Sequence, residues 1–206
     1  MVFYFTGTGN SLYIAKQISE NPISIPKIMR QKSLDFVADS IGIVAPVYGH
    51  EVPDMVKDFL RRAHFHTEYF YMILTYGNRH GGAAELAKEL CDECGITVNY
   101  INVIMMVDNW LPSFDMNEQK KIDKKVEENL KLILDDLFSH KNKISEVTNI
   151  DREAHRQFLN RMSQMAPDVW QHFLWITDAC IGCEICEKVC PSSSIHVSDG
   201  KAVYVP

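Results

Sequence analysis

Long apolar runs are missing from this 206-residue chain: nowhere do eighteen apolar residues follow one another, so no membrane-spanning helix is predicted. It also has no long basic run, and its formal net charge is -6. That balance argues against nucleic acid or an anionic membrane as the main partner and suits an acidic electron carrier. Met1-Val2-Phe3-Tyr4-Phe5 enters an apolar stretch without a cationic start or a small-residue cleavage site, and no signal peptide is expected. Internal repeats and low-complexity tracts are absent. The eight histidines include no H-x-x-x-H or H-x-x-H pair. The acids scatter over solvated faces without a paired-carboxylate or Ser/His/Asp arrangement, so hydrolytic chemistry finds no support.

What is present suffices for one sizeable core and a small annex, with 46% of the residues hydrophobic. Short apolar runs alternate with helical patterns through the first two-thirds of the chain, as β-α-β units of a parallel sheet require. Residues 2–5, 41–47, 69–75 and 99–106 read as strands, and Ile23-Ser24-Ile25 as an edge strand, five in all. Helical stripes fall at Leu12, Ala15 and Ile18; at Val52, Met55, Val56 and Phe59; and at Ala83, Leu86, Ala87 and Leu90. A longer helix is expected to carry Ile122, Val126, Leu130, Ile133 and Leu137 on one face. After the boundary at His140-Lys141-Asn142-Lys143 comes a polar helical segment with Phe158, Met162 and Met165. Pro167 should end it and begin another with Val169, Trp170, Phe173 and Leu174. Ile195 to Val205 reads as a hairpin turning at Asp199-Gly200.

Directly after the first strand, Thr6-Gly7-Thr8-Gly9-Asn10-Ser11 opens a helix. Such a loop offers backbone N–H groups, hydroxyl donors and the positive end of a helix dipole to one anion. A P-loop would need Gly-Lys-Ser/Thr at the helix start, and no lysine precedes Lys16; a dinucleotide fingerprint would need Gly or Ala where Leu12 stands. A hydroxyl-rich loop suited to the phosphate monoester of FMN remains.

Six cysteines divide into two groups. Cys180, Cys183, Cys186 and Cys190, followed by Pro191, spell C-x-x-C-x-x-C-x-x-x-C-P, the spacing that holds an iron–sulfur cluster. Structural zinc would take two C-x-x-C hooks a dozen or more residues apart, and this run is too compressed for that. Ser192, Ser193 and the amides of Ile181 and Gly182 are candidates for hydrogen bonds to sulfur. Cys91 and Cys94 continue the stripe of Ala83, Leu86, Ala87 and Leu90, on a buried face near a helix C-terminus. There a thiol acts as a small hydrophobe rather than a thioredoxin-type nucleophile. A reducing, cytoplasmic location follows from this cysteine usage.

Phe5-Thr6-Gly7-Thr8-Gly9-Asn10-Ser11 resembles the phosphate loop of flavodoxins. Joined to the C-terminal cysteine run, it makes the chain resemble, over nearly its whole length, the EFR-type ferrodoxins, which fuse a flavodoxin with a ferredoxin. The resemblance implies an α/β, flavodoxin-like, doubly wound five-stranded parallel sheet of order 2-1-3-4-5, with FMN beside the first and third strands. It implies an FMN-binding domain over residues 1–140, a helical linker over 141–174 and a partial 4Fe-4S ferredoxin-type module over 175–206. Matched to the family pattern, Pro46-Val47-Tyr48-Gly49 and Thr75-Tyr76-Gly77-Asn78, with Gly81 and Gly82, should flank the isoalloxazine ring. Their places at strand C-terminal ends agree with this. Tyr48 or Tyr76 could stack on the ring, Asn109 and Trp110 could cover it, and His80 sits in one of its loops.

The implied function is electron transfer between FMN and a 4Fe-4S cluster on Cys180, Cys183, Cys186 and Cys190, in exchange with redox partner proteins. An alternative is a flavin-dependent reductase of a small molecule, the cluster relaying electrons and Asn109-Trp110-Leu111-Pro112 forming a lid. A third is a regulator that senses oxygen or iron. The family carries two cysteine motifs, each lending its fourth cysteine to the other's cluster, and this sequence shows one. A truncated gene, a three-iron or solvent-ligated cluster on Cys180, Cys183 and Cys186, and an outside ligand all stay open, truncation being favoured.

Overall fold

Four apolar runs build the central sheet, and the two long middle ones, Ser40–Pro46 and Tyr69–Tyr76, are buried almost without a break because successive side chains point to opposite faces and both faces are covered. The computed structural model describes residues 1–111, 113–165 and 175–205. Two compact units divide the chain, Met1–Phe158 and Leu159–Pro206. The first contains, in order, β1 (Val2–Tyr4), α1 (Asn10–Ile18), β2 (Ile23–Ser24), α2 (Ile25–Ile28), β3 (Asp35–Val37), β4 (Ser40–Pro46), α3 (Asp54–Arg62), β5 (His64–His66), β6 (Tyr69–Tyr76), α4 (Ala83–Glu93) and β7 (Tyr100–Met105). It continues with α5 (Met116–Gln119), α6 (Val126–Phe138), β8 (Lys143–Ile144) and most of α7 (Asn149–Met162). The second unit holds α8 (Ile185–Val189) and the strands β9 (Ile195–Ser198) and β10 (Lys201–Tyr204).

The main sheet has the order β2-β1-β4-β6-β7-β8, and all its pairings are parallel. With the two strands outside it set aside, this is the expected 2-1-3-4-5 order extended by one strand, and the fold class is flavodoxin-like α/β. The expectation of five strands is corrected to six in this sheet. The sixth, Lys143–Ile144, is joined by Lys143 N–H to Asn99 O at 2.9 Å and Ser145 N–H to Ile101 O at 2.8 Å. Two residues are too few to show a period, so this strand left no trace in the pattern. It also lies past residue 140, where the flavodoxin-like region was expected to end.

Helices cover both faces. On one, Phe3, Ile41, Ile43, Phe70, Met72 and Leu74 pack with Val56, Phe59 and Leu60 of α3 and Ala83, Ala87, Leu90 and Cys91 of α4. On the other, Val2, Val44, Tyr71, Ile73, Tyr100 and Ile104 pack with Ile14 and Ala15 of α1 and Leu130, Ile133 and Leu137 of α6. The stripe expected on α1 is shifted: Ser11, Ile14 and Ala15 are its buried residues, and Leu12 is not. Likewise α6 begins at Val126, and Ile122 lies half-exposed in the turn before it.

A second, two-stranded parallel sheet pairs β3 with β5 and was not foreseen. Its middle residues Phe36 and Phe65 turn inward onto Phe3, at 4.6 and 6.3 Å between ring centroids. The flanking His64 and His66 therefore face outward. The hairpin at Asp199-Gly200 forms as read, with positive φ at both residues, as a type I′ turn demands. The helix expected after Pro167, with Val169, Trp170, Phe173 and Leu174, lies outside the described residues.

Candidate functional site: a sheet edge and a cysteine loop

Parallel strands place every β-to-α loop at one edge, so Thr6–Ser11, the turn after β4 and the loops after β6 and β7 all gather at the carboxyl ends of the strands. The strand order reverses between β1 and β4, and a crevice opens at such a reversal. Thr6–Ser11 lies on one side of it and Val47–Val52 on the other.

Within Thr6–Ser11, four side chains already have partners. Thr6 Oγ1 accepts from Gly9 N–H at 2.9 Å, and Thr8 Oγ1 accepts from Asn109 Nδ2 at 2.5 Å. Asn10 Nδ2 donates to Val107 O at 2.9 Å. The two threonine hydroxyls act here as acceptors, so each O–H proton is left to be donated to a ligand. Gly9, at φ 105°, precedes α1, whose first turn has no side-chain cap and no acidic residue. Hydroxyl protons, uncapped helix amides and the absence of a carboxylate fit a phosphate group.

Ser11 is the exception among the six. It is buried, and its Oγ shares a 2.9 Å hydrogen bond with Thr75 Oγ1 beneath the loop. Its hydroxyl is turned from the loop surface, and Thr75 faces it rather than the crevice. Ser11→Ala should leave Thr75 short of a buried partner and cost about 1–2 kcal/mol in urea unfolding. The double variant Ser11→Ala with Thr75→Val should recover most of that loss, because no polar atom is then stranded.

After β4, Pro46 ends the strand and Val47 N–H bonds Thr75 O at 2.8 Å. Tyr48 and Glu51 exchange backbone hydrogen bonds across Gly49 and His50, both at positive φ, so the segment is a tight turn. The half-exposed Tyr48 lies over the first loop: its phenol oxygen accepts from Gly7 N–H, and a Cβ on Gly7 would come within 2.5 Å of that oxygen. Burial pushes the Tyr48 phenol up.

After β6, Tyr76 packs edge-on against His80 at 5.1 Å. Gly77 is pressed against Asp108, where a Cβ would stand 2.5 Å from the carboxyl carbon, and Gly81 is similarly close to the His50 ring. The exposed Asn78 lies between these contacts, and Gly82 precedes α4. The structure therefore gathers Tyr48, Gly49, Tyr76, Gly77, Gly81, Asn109 and the first loop at one edge. Lys124, which no motif signals, joins them by donating to Gly77 O at 3.3 Å.

Cys91 is buried and Cys94 partly so at the end of α4. Burial pushes the Cys91 thiol up to about 12, and its Sγ meets Met72 Sδ at 3.6 Å. This C-x-x-C is packing.

In the second unit all four cysteines of the compact run are free thiols. Ala202 N–H donates to Cys180 Sγ at 3.3 Å. That amide and the amide of Gly182 hold the Cys180 thiol below its ordinary value. Partial burial raises Cys190, but the Ser192 hydroxyl and the amides of Ser194, Ser192 and Ile195 outweigh it and hold this thiol down as well. Gly182 was foreseen as a donor; Ala202 was not, because the β9–β10 hairpin brings it back across twenty-two residues. Gly182, at φ 66°, is what lets the hairpin turn approach, since a Cβ there would overlap the Gly200 carbonyl. Amide-supported thiolates are the donor chemistry of an iron–sulfur site.

Among the described residues no three His, Cys, Asp or Glu side chains converge on a single ion. Tetrahedral zinc would draw its sulfurs to about 3.8 Å from one another, from Zn–S bonds of about 2.3 Å.

Comparison with known proteins agrees on this segment. Residues 173–196 match the family model described as "4Fe-4S binding domain". No curated protein matches the chain. Among solved structures, the two-electron reduced flavodoxin of Megasphaera elsdenii is 18% identical, with TM-score 0.35 over 50% of this chain and 82% of its own. Rubredoxin oxygen:oxidoreductase from Desulfovibrio gigas is 13% identical, with TM-score 0.39 over 65% of this chain and 36% of its own. A short-chain flavodoxin associated with a non-canonical PDU bacterial microcompartment is 15% identical, with TM-score 0.37 over 65% of this chain and 96% of its own. It is the sheet order, and not these likenesses, that establishes the fold class.

Proposed function

We propose that the chain is an electron-transfer protein that binds FMN at the carboxyl edge of its sheet and a 4Fe-4S cluster on Cys180, Cys183, Cys186 and Cys190. The observation that carries this is the pairing, in one chain, of a hydroxyl-rich loop at a sheet reversal with amide-supported thiols in cluster spacing. FMN would supply the exchange of one or two electrons, and the cluster passes them singly. The protein's share is positional. Thr6 and Thr8 donate hydroxyl protons and α1 its first amides to the phosphate, and Asn109 fixes Thr8 for that task. Tyr48 and Tyr76 rise beside the crevice, where they wall the flavin edge from water. Ala202, Gly182 and Ser192 hold charge on sulfur and so set the cluster potential. Redox proteins are the partners in this reading, and a reducing, cytoplasmic setting suits it. Among the described residues no helix is long and apolar enough to cross a membrane.

The test is the stoichiometry of flavin, iron and sulfide per chain after anaerobic purification, with low-temperature EPR. One FMN and about four iron atoms per chain are expected. A three-iron signal would leave Cys190 outside the site, and a colourless protein after gentle reconstitution would overturn the reading. Saturable reoxidation by one organic acceptor would instead favour a small-molecule reductase.

A further inference from the structure

Three histidines from three separate elements meet at the carboxyl edge. His50 stands in the turn after β4, His80 in the loop after β6, and His155 on α7. The His50 ring lies 5.6 Å from that of His155 and 4.9 Å from that of Phe158, also on α7, and the backbone at Gly81 closes over it. Phe158 in turn covers Gly49, where a Cβ would stand 3.1 Å from its ring. The Nδ1 atoms of His50, His80 and His155 are all buried, and none has a hydrogen-bond partner.

An imidazole with a bare, unpartnered nitrogen is tolerable only while that nitrogen carries no proton. Protonation puts an N–H where no acceptor waits and a charge where little water reaches. We propose that His50, packed among His80, His155 and Phe158, is a proton-operated latch, which holds the His155–Phe158 turn of α7 onto the edge loops while its ring is neutral and releases it when that ring charges.

The surrounding charges decide the sign. Facing His50 are His155, the exposed Arg79 and His80, all of which oppose a positive ring, while Asp151 alone favours one. Burial, and then these neighbours in that order, lower the His50 ring below its ordinary value. Asp151 sits 3.9 Å from His80 Nε2, and its other oxygen is engaged by the Thr148 amide and hydroxyl at 2.9 and 2.6 Å. That carboxylate is thus turned to His80 and Thr148 rather than to His50. Glu51, next to His50 in the turn, is already paired with Lys57 at 2.5 Å, and Tyr76 meets only the edge of His80.

The other end of α7 is fixed differently. Arg152 donates to Glu85 through Nε and Nη2 at 2.8 and 3.0 Å, and this pairing holds the Glu85 carboxyl below its ordinary value. Glu85 therefore keeps its charge throughout the range in which histidines titrate. The first turn of α7 is pinned at neutral and mildly acidic pH alike, and only the turn bearing His155 and Phe158 responds.

The released state binds more protons than the latched one, because the His50 ring returns to about its ordinary pKa of 6.5. Latching is thus fully present above that value and weakens as pH falls below it.

Amide hydrogen exchange on the full chain at pH 7.5 and 5.5, each corrected for its intrinsic rate, tests this. The opening constant of residues 153–158 should rise about tenfold at pH 5.5, while residues 84–91 of α4 stay unchanged. His155→Gln and His50→Gln should each flatten that dependence. Equal opening at both pH values, or an undiminished rise in both variants, would overturn the latch. If a variant does not fold, NMR titration of the wild-type His50 ring decides: it should titrate below the ordinary histidine value of about 6.5, and a midpoint at or above that value overturns the latch.

Discussion

Replacing Gly9 with valine is expected to weaken the proposed FMN binding by about ten- to hundredfold while the apoprotein still folds. Gly9 holds φ at 105°, well outside the left-handed well that other residues visit, and a β-branched side chain tolerates it least. Forcing such a residue there costs about 1–3 kcal/mol, and each 1.4 kcal/mol is tenfold in affinity. A Cβ at Gly9 meets nothing within 4 Å, so no clash disturbs the core. The unliganded loop can therefore shift to relieve the strain, losing the Thr6 hydroxyl's bond to Gly9 N–H and loosening Thr8 from Asn109. Binding would have to restore the original conformation, and the cost then appears in the affinity. Flavin fluorescence quenching gives the dissociation constant, and thermal melting of the apoprotein gives the control. An unchanged affinity would mean that this loop does not hold the phosphate.

A second glycine acts by the opposite mechanism. Gly42→Val should destabilise the whole first unit by about 3 kcal/mol, the upper part of the usual range for overpacking a core. Gly42 lies on β4 opposite Tyr71 of β6, and the Tyr71 ring folds across it so closely that a Cβ would overlap the Cζ and Cε2 atoms. The ring cannot swing aside cheaply, since Tyr71 is buried against Tyr69 at 5.9 Å and belongs to the core shared with α1 and α6. Aromatic cover of a strand glycine is a recognised stabilising pair in sheets. Urea unfolding of Gly42→Val, Tyr71→Ala and the double variant measures the coupling. The double variant should be more stable than the sum of the two losses predicts, because the shortened side chain makes room for valine. Strict additivity would show that the ring and the glycine do not share that space.

These two glycines mark where the sequence was legible. Gly9 stands in a loop whose composition already suggested an anion, and the structure adds its φ and its open surroundings. Gly42 interrupts Ile41 and Ile43 without any visible reason, because the cause is a ring twenty-nine residues away in sequence. Ser11 shows the same limit within the loop. Its buried hydroxyl meets Thr75, sixty-four residues away, a contact that the local spacing of the loop does not carry.

By itself the sequence determined the parallel α/β class, the five principal strands, the anion-suited loop, the packing role of Cys91 and the cysteine spacing. Each of these is written in local periodicity or in covalent spacing, which the chain carries wherever it folds. The tertiary structure alone decided the sixth strand at Lys143–Ile144, the β3–β5 pair beneath the aromatic core, the support of Cys180 by Ala202 and the meeting of His50, His80 and His155. All of these join residues distant in the chain, and a contact made by closing a long loop leaves no periodic trace in the sequence.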